Sequence, residues 1–231
     1  MPYPRQRLLL VRHAQGSLGS EDYDQLSSIG FRQAEEVAQH LHSFLDEAVM
    51  VRGELKRHRQ TADSLCRFGP CRIDPDLNEY RVDHLLEAAF ENAGELALQP
   101  PGPEALADPV GYLDTFLALF PRVLEAWQAE RIHCTVNGRW SAFSQRVEAA
   151  GRRFLPMLEQ SGSVVAVTSA GVISTLVASL LGRELTWQRQ LNVTLYNASV
   201  TELHLDAAGA WRVERLNCIE HLPPGDLHTL A

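Results

Sequence analysis

VVAVTSAGVISTLVASLLG, residues Val164 to Gly182, carries no charged side chain and approaches the length that spans a bilayer. Its reading decides the fold. The polar centre, Thr168-Ser169-Ala170-Gly171, separates a β-branched run from a helical pattern. A buried strand that turns directly into a helix accounts for both halves, as in the interior of an α/β protein whose sheet is covered on both faces.

The rest of the chain fits that unit. QRLLLVRHAQGS (Gln6–Ser17) has four apolar residues, Leu8 to Val11, and then Arg12-His13, so a short buried strand ends on a cation and an imidazole. Downstream, Ala34, Val37, Ala38, Leu41, Phe44 and Leu45 recur at helical spacing, with Ser27 or Ser28 as N-cap. AVMV (Ala48–Val51) reads as a second strand, and LKRHRQTADSLCRF as a second helix ending before Gly69-Pro70. A short third strand precedes Pro75. Asp83 to Gln160 reads as mostly helical, broken by the Pro-rich QPPGPEALADPVG, and LYNASVTELHL and AWRVERLN read as two closing strands joined by DAAGA. The class is α/β, with a helical insertion between strands three and four at about residues 83–160, and the length suits one domain over 1–231. In such sheets ligands sit beyond the carboxyl ends of the strands, where both Arg12-His13 and Thr168-Ser169 fall.

Composition narrows the partners. A formal charge of −8 over 231 residues argues against a nucleic-acid surface, although a local basic pocket can sit within an acidic total. The N-terminal apolar run is too short for a secretory signal. Cys66, Cys71, Cys134 and Cys218 form no CxxC pair and read as reduced, buried thiols of a cytoplasmic protein rather than a metal or disulfide framework.

Lys56, Arg57, His58 and Arg59 open the second helix just beyond the second strand. They read as a solvated basic face or as part of a phosphate pocket built from cations and helix amides. Alone, neither this cluster nor the Arg12-His13 pair decides between these alternatives.

Together they resemble the histidine phosphatase superfamily, the phosphoglycerate mutase-like family. LLLVRHAQG resembles its strand running into Arg-His-Gly or Arg-His-Ala; LSSIGFRQA, LKRHRQTA, LNEY and NASVTEL resemble further family motifs in the family's order, and VVAVTSAGVISTLVASLLG its second-histidine strand and helix. The resemblance covers nearly the whole chain and is least specific over Asp83–Arg139. It implies a mostly parallel central sheet flanked by helices on both faces. It also implies phosphomonoester hydrolysis through a phosphohistidine on His13, with Arg12 and Arg57 binding phosphate and Glu79 as general acid. Asp83 is the reserve acid, because YRVDHLL after Glu79 lacks the family's usual glycine and tryptophan. Lys56 and Arg59 are expected at the surface or behind the groups that touch phosphate. No metal and no cofactor are implied, and the partner is a small phosphorylated substrate or phosphopeptide, with no nucleic acid and no membrane.

The sequence departs from the family at Ser169. Most relatives place a histidine there that binds the transferred phosphoryl group, and serine brings no positive charge. His204 and His221 lie on other segments, with no spacing that brings either to the pocket. Ser169 is expected to N-cap the following helix and to contact the anion, and a histidine restored at 169 is expected to fit. The loss of a charged donor leaves a weakly active or inactive phosphate-binding pseudoenzyme as the alternative function, with a mutase-type phosphotransferase further behind. The residues around Leu85–Trp140 are expected to set specificity, with YLDTFLALF as lid or core and core favoured by composition.

Overall fold

The computed structural model describes residues 6–17, 24–45, 47–66, 70–102 and 109–230. Along the chain run β1 (Arg7–Arg12), α1 (Ser28–Leu45), β2 (Val49–Arg52), α2 (Lys56–Leu65), β3 (Cys71–Ile73), α3 (Val82–Glu91), α4 (Ala93–Leu96), α5 (Pro109–Gln128), α6 (Trp140–Ser161), β4 (Ser163–Thr168), α7 (Ala170–Leu181), α8 (Leu185–Thr194), β5 (Val200–Leu205) and β6 (Trp211–Cys218). They form one six-stranded sheet in the order β3-β2-β4-β1-β5-β6. β1 to β4 are mutually parallel, and β5 and β6 extend the sheet antiparallel beside β1. Val164–Gly182 divides into β4 and α7 as its two sequence halves demand, and among the described residues no helix is long and apolar enough to cross a membrane.

The continuous apolar runs follow from burial on both faces. Leu8, Leu10, Val164 and Ala166 enter a core shared with α3, α5, α6 and α7, while Leu9, Val11, Val165 and Val167 enter a second core under α1 and α2. Alternation across a strand sends neighbouring residues to opposite sides, so a central strand covered twice has no polar position left. Ser27 is the N-cap of α1: its Oγ accepts from the Gly30 amide at 3.0 Å. The second helix stops earlier than the sequence suggests, at Leu65, and Gly69 lies outside the described residues. α5 begins inside the Pro-rich segment, at Pro109. All four cysteines are free, but only Cys134 is buried; Cys66, Cys71 and Cys218 are half-buried at element ends, Cys66 and Cys71 against the margin of the second core.

The parallel register pairs Arg12 with Thr168. His13, whose amide donates to the Thr168 carbonyl at 2.8 Å, therefore stands beside Ser169 where both chains leave the sheet.

Candidate active site

Arg12, His13, Arg57 and Glu79 line one end of a cavity of about 480 Å³. His13 is 5% exposed. Its Nδ1 lies 2.8 Å from the Ala14 carbonyl, which can only accept, so Nδ1 carries the proton and Nε2 the lone pair. Nε2 in turn accepts from Nε of Arg57 at 3.2 Å. Burial, and then the charges of Arg57 and Arg12, hold the His13 pKa well below 6.5, so the ring is neutral at pH 7.

The loop around His13 is fixed by the polar residues of the two helical motifs. The Ala14 amide donates to Thr61 Oγ1 at 3.0 Å, and the Gln15 amide to Gln33 Oε1 at 2.8 Å. Gln33 also donates to the Leu227 carbonyl and to Thr229, and so ties the C-terminal segment to the loop. Arg12 Nη1 donates to the carbonyls of Leu195 and Leu230. Asp24 holds Arg57: one carboxylate oxygen accepts from Arg57 Nη1 at 2.7 Å, and the other from the Lys56 amide at 2.7 Å, capping α2 from a distant loop. Lys56 and Arg59 take no part in the cavity, and Arg59 is exposed.

Glu79 approaches the N-terminus of α7. Its Oε2 accepts from the Gly171 amide at 2.7 Å and its Oε1 from the Tyr80 amide at 3.2 Å. A Cβ on residue 171 would lie 2.4 Å from Oε1 and 2.3 Å from a Tyr80 ring carbon, so the approach requires glycine. Burial raises the Glu79 pKa above the ordinary 4.5, outweighing the helix amides and the nearby arginines that lower it. The turn that carries Glu79 is pinned from behind, by Arg146 Nη1 donating to the Asp76 and Asn78 carbonyls and by the Thr168 hydroxyl donating to Leu77 O at 2.6 Å. Asp83 stands at the rim, its side chain 54% exposed, paired with Arg81 at 2.6 Å and with its pKa lowered by that hydrogen bond. Of the two carboxyls, Glu79 is the buried one that lines the cavity with His13 and whose pKa is raised, whereas that of Asp83 is lowered.

Ser169 does not cap α7 with its side chain. Its Oγ lies 2.6 Å from Nε2 of His58, while the helix amide is served by Glu79. His58 is fully buried, its ring centroid 5.7 Å from that of His13, and its Nδ1 has no hydrogen-bond partner among the described residues. It is neutral for the same reason as His13: burial first, then Arg57 and Arg52. The backbone of Gly53 makes room for the ring, since a Cβ there would fall 2.3 Å from Nδ1. His204 instead faces Glu214, and His221 bonds the Ala198 carbonyl and stacks on His40. The histidine that meets the strand end thus comes from α2, a residue the sequence placed only in a basic cluster. Asp24, Arg146 and Leu230 were not signalled at all.

A family model described as the histidine phosphatase superfamily (branch 1) matches residues 8–101 and 111–219. The fold is shared with the alpha-ribazole phosphatase from Shigella flexneri (TM-score 0.63, 22% identity, 92% of this chain and 96% of that one). It is also shared with a phosphoserine phosphatase from Entamoeba histolytica in complex with 3-phosphoglyceric acid (0.63, 18%, 94% and 99%). A mycobacterial glucosyl-3-phosphoglycerate phosphatase matches as well (0.61, 21%, 92% and 99%). No curated protein sequence matches the chain.

Proposed function

The chain belongs to the histidine phosphatase superfamily, and we propose that it hydrolyses a small phosphomonoester through a phosphohistidine on His13. One observation carries this reading: a buried imidazole held neutral, with its Nε2 lone pair turned toward Arg57 in the cavity that Arg12 and Glu79 also line. The Nε2 lone pair attacks phosphorus as the ester P–O bond breaks, and the protonated Glu79 carboxyl delivers its proton to the departing alkoxide. Water then attacks the phosphohistidine, its proton returns to Glu79, and the P–N bond breaks to release inorganic phosphate. Arg12 and Arg57 keep their charge throughout, so the reading calls on no metal to neutralise the phosphoryl oxygens. Arg57 leaves His13 Nε2 for the phosphate when substrate arrives, swinging about its anchor on Asp24.

A second reading is favoured at one point. Neither Ser169 nor the neutral His58 behind it brings positive charge to the end of β4, and a charged donor lost from that place costs roughly a hundredfold or more in rate. A weak enzyme, or a phosphate-binding relative without turnover, follows from that loss.

Steady-state hydrolysis of p-nitrophenyl phosphate by the wild type and His13→Ala separates them. Turnover lost by roughly a thousandfold or more in the variant, with an acid-labile, alkali-stable phosphoryl adduct on His13 in quenched wild type, supports the hydrolase. Equal rates in both proteins sink it, and phosphate binding without turnover in the wild type favours the pseudoenzyme.

A further inference from the structure

The phosphate end occupies only part of the cavity. The opposite wall is built by Val82 and Leu86 from α3, by Leu113, Phe116 and Leu117 from α5, and by Val193 from α8. α5 is apolar on two sides. Val123 and Leu124 are buried in the core, whereas Leu113, Phe116 and Leu117 are half-buried, turned to the cavity, and the buried Phe120 lies between the two, in the core and on the cavity lining. The segment read as core from composition is therefore core along one stripe and cavity wall along another. Phe116 stacks on Phe120 at 4.7 Å between ring centroids, which braces the wall against the interior.

The polar groups on this side are engaged with one another. Asn192 Nδ2 donates to Tyr80 Oη at 2.8 Å, and Arg81 pairs with Asp83 at the rim. Among the described residues that line the cavity, those two ionised groups are the only ones outside the phosphate end. A polyhydroxylated alcohol lodged here would trade water for aliphatic and aromatic carbon at most of its hydroxyls, and among the described lining residues a second charged group would meet on this side only Arg81 and Asp83, already paired with each other. An apolar alcohol leaves no hydroxyl without a partner on entry and covers side chains that otherwise face water, a gain of up to about fourfold in affinity for each methylene buried, less the ordering of the chain.

We propose that the substrate is the phosphomonoester of a bulky apolar alcohol, alkyl or aryl, with no second charge, bound with its phosphate on Arg12 and Arg57 and its carbon body on the α3–α5 wall. This rests on the phosphatase reading for turnover, but the wall's preference can be measured without turnover.

The test compares hexyl phosphate with ethyl phosphate and ribose 5-phosphate, all esters of primary alcohols, so that leaving-group chemistry differs little. The expected result is a kcat/KM for hexyl phosphate at least tenfold above either of the others, and a hexyl-to-ethyl ratio that collapses toward unity in Phe116→Ala. In parallel, calorimetry on the wild type compares hexylphosphonate with methylphosphonate, neither of which can be hydrolysed, and at least tenfold tighter binding of the hexyl compound is expected. Turnover that favours ribose 5-phosphate, or phosphonates that bind equally, overturns the proposal. Absent turnover with tight hexylphosphonate binding removes the hydrolase and leaves the apolar ligand class standing. Phe116→Ala that does not fold is replaced by Leu117→Asn, read on the same ratio.

Discussion

Replacing Ser169 by histidine tests whether the strand end has room for the imidazole that the family resemblance implies there. Ser169 is 1% exposed, and its Oγ already lies 2.6 Å from Nε2 of His58. The His58 ring cannot retreat, because its other side rests on the backbone of Gly53, where even a Cβ would come within 2.3 Å. A five-membered ring grown along the serine Cβ–Oγ direction therefore meets a second ring. Overpacking costs about 1–3 kcal/mol and the lost hydrogen bond about 1 kcal/mol. For a chain of this size that lowers Tm by roughly 5–15 °C. Ser169→His alone should melt earlier and turn over p-nitrophenyl phosphate no faster than wild type. His58→Ala/Ser169→His removes the obstruction and restores a ring that can carry charge. It should recover at least half of the lost Tm and exceed the single variant about tenfold or more in turnover, the value of one hydrogen bond from a charged group. Scanning calorimetry and steady-state kinetics on the three proteins decide the matter. A Ser169→His protein that melts within about 2 °C of wild type and works faster refutes the reasoning, because the 169 side chain would then have open space toward the phosphate.

Gly171→Ala places a Cβ against Glu79 and Tyr80 and should cost about 1–3 kcal/mol, with alkyl phosphates losing far more rate than p-nitrophenyl phosphate as the acid shifts; equal losses on both substrates remove Glu79 from the proton-donor role. Activity should follow a bell, its acid limb set by His13, with a pKa below 6.5, and its alkaline limb by Glu79, with a pKa above 4.5; Glu79→Gln should abolish the alkaline limb, and a limb that survives unchanged belongs to another group. His13 and His58 are both held neutral by burial, so the unfolded chain binds protons that the folded one does not. Their contribution to stability is complete above pH 6.5 and falls below it, by up to about 1.4 kcal/mol per pH unit for each ring. His58→Gln should flatten the dependence of Tm on pH between 7.5 and 5.5, and an unaltered slope excludes His58 from it. Asp24→Asn removes the ion pair that anchors Arg57 while leaving an oxygen that can still accept from the Lys56 amide; inhibition by inorganic phosphate should weaken by roughly fivefold to tenfold, the value of about one hydrogen bond, and an unchanged inhibition constant would show that phosphate binding does not depend on this ion pair.

The sequence determined the strands and their order of use. Leu8–Val11 and Val164–Val167 are apolar at every position because both sheet faces are covered, and a pattern without alternation says so directly. It also placed His13 at a strand end and Arg57 at a helix start through local punctuation, whereas Glu79 came only from the resemblance of a short segment, LNEY, to a family motif. What it left undecided lies across the fold. His58 and Ser169 are 111 positions apart, Asp24 reaches α2 from another loop, and Arg12 is met by Leu230 from the far end of the chain. Helical periodicity reports which stripe of α5 is apolar, but a core and a substrate wall are both apolar, and only the neighbouring elements distinguish them. The same holds for a buried imidazole. Its burial, its neutrality and its partner are properties of the groups packed around it, and packing that joins distant segments leaves no period in the chain.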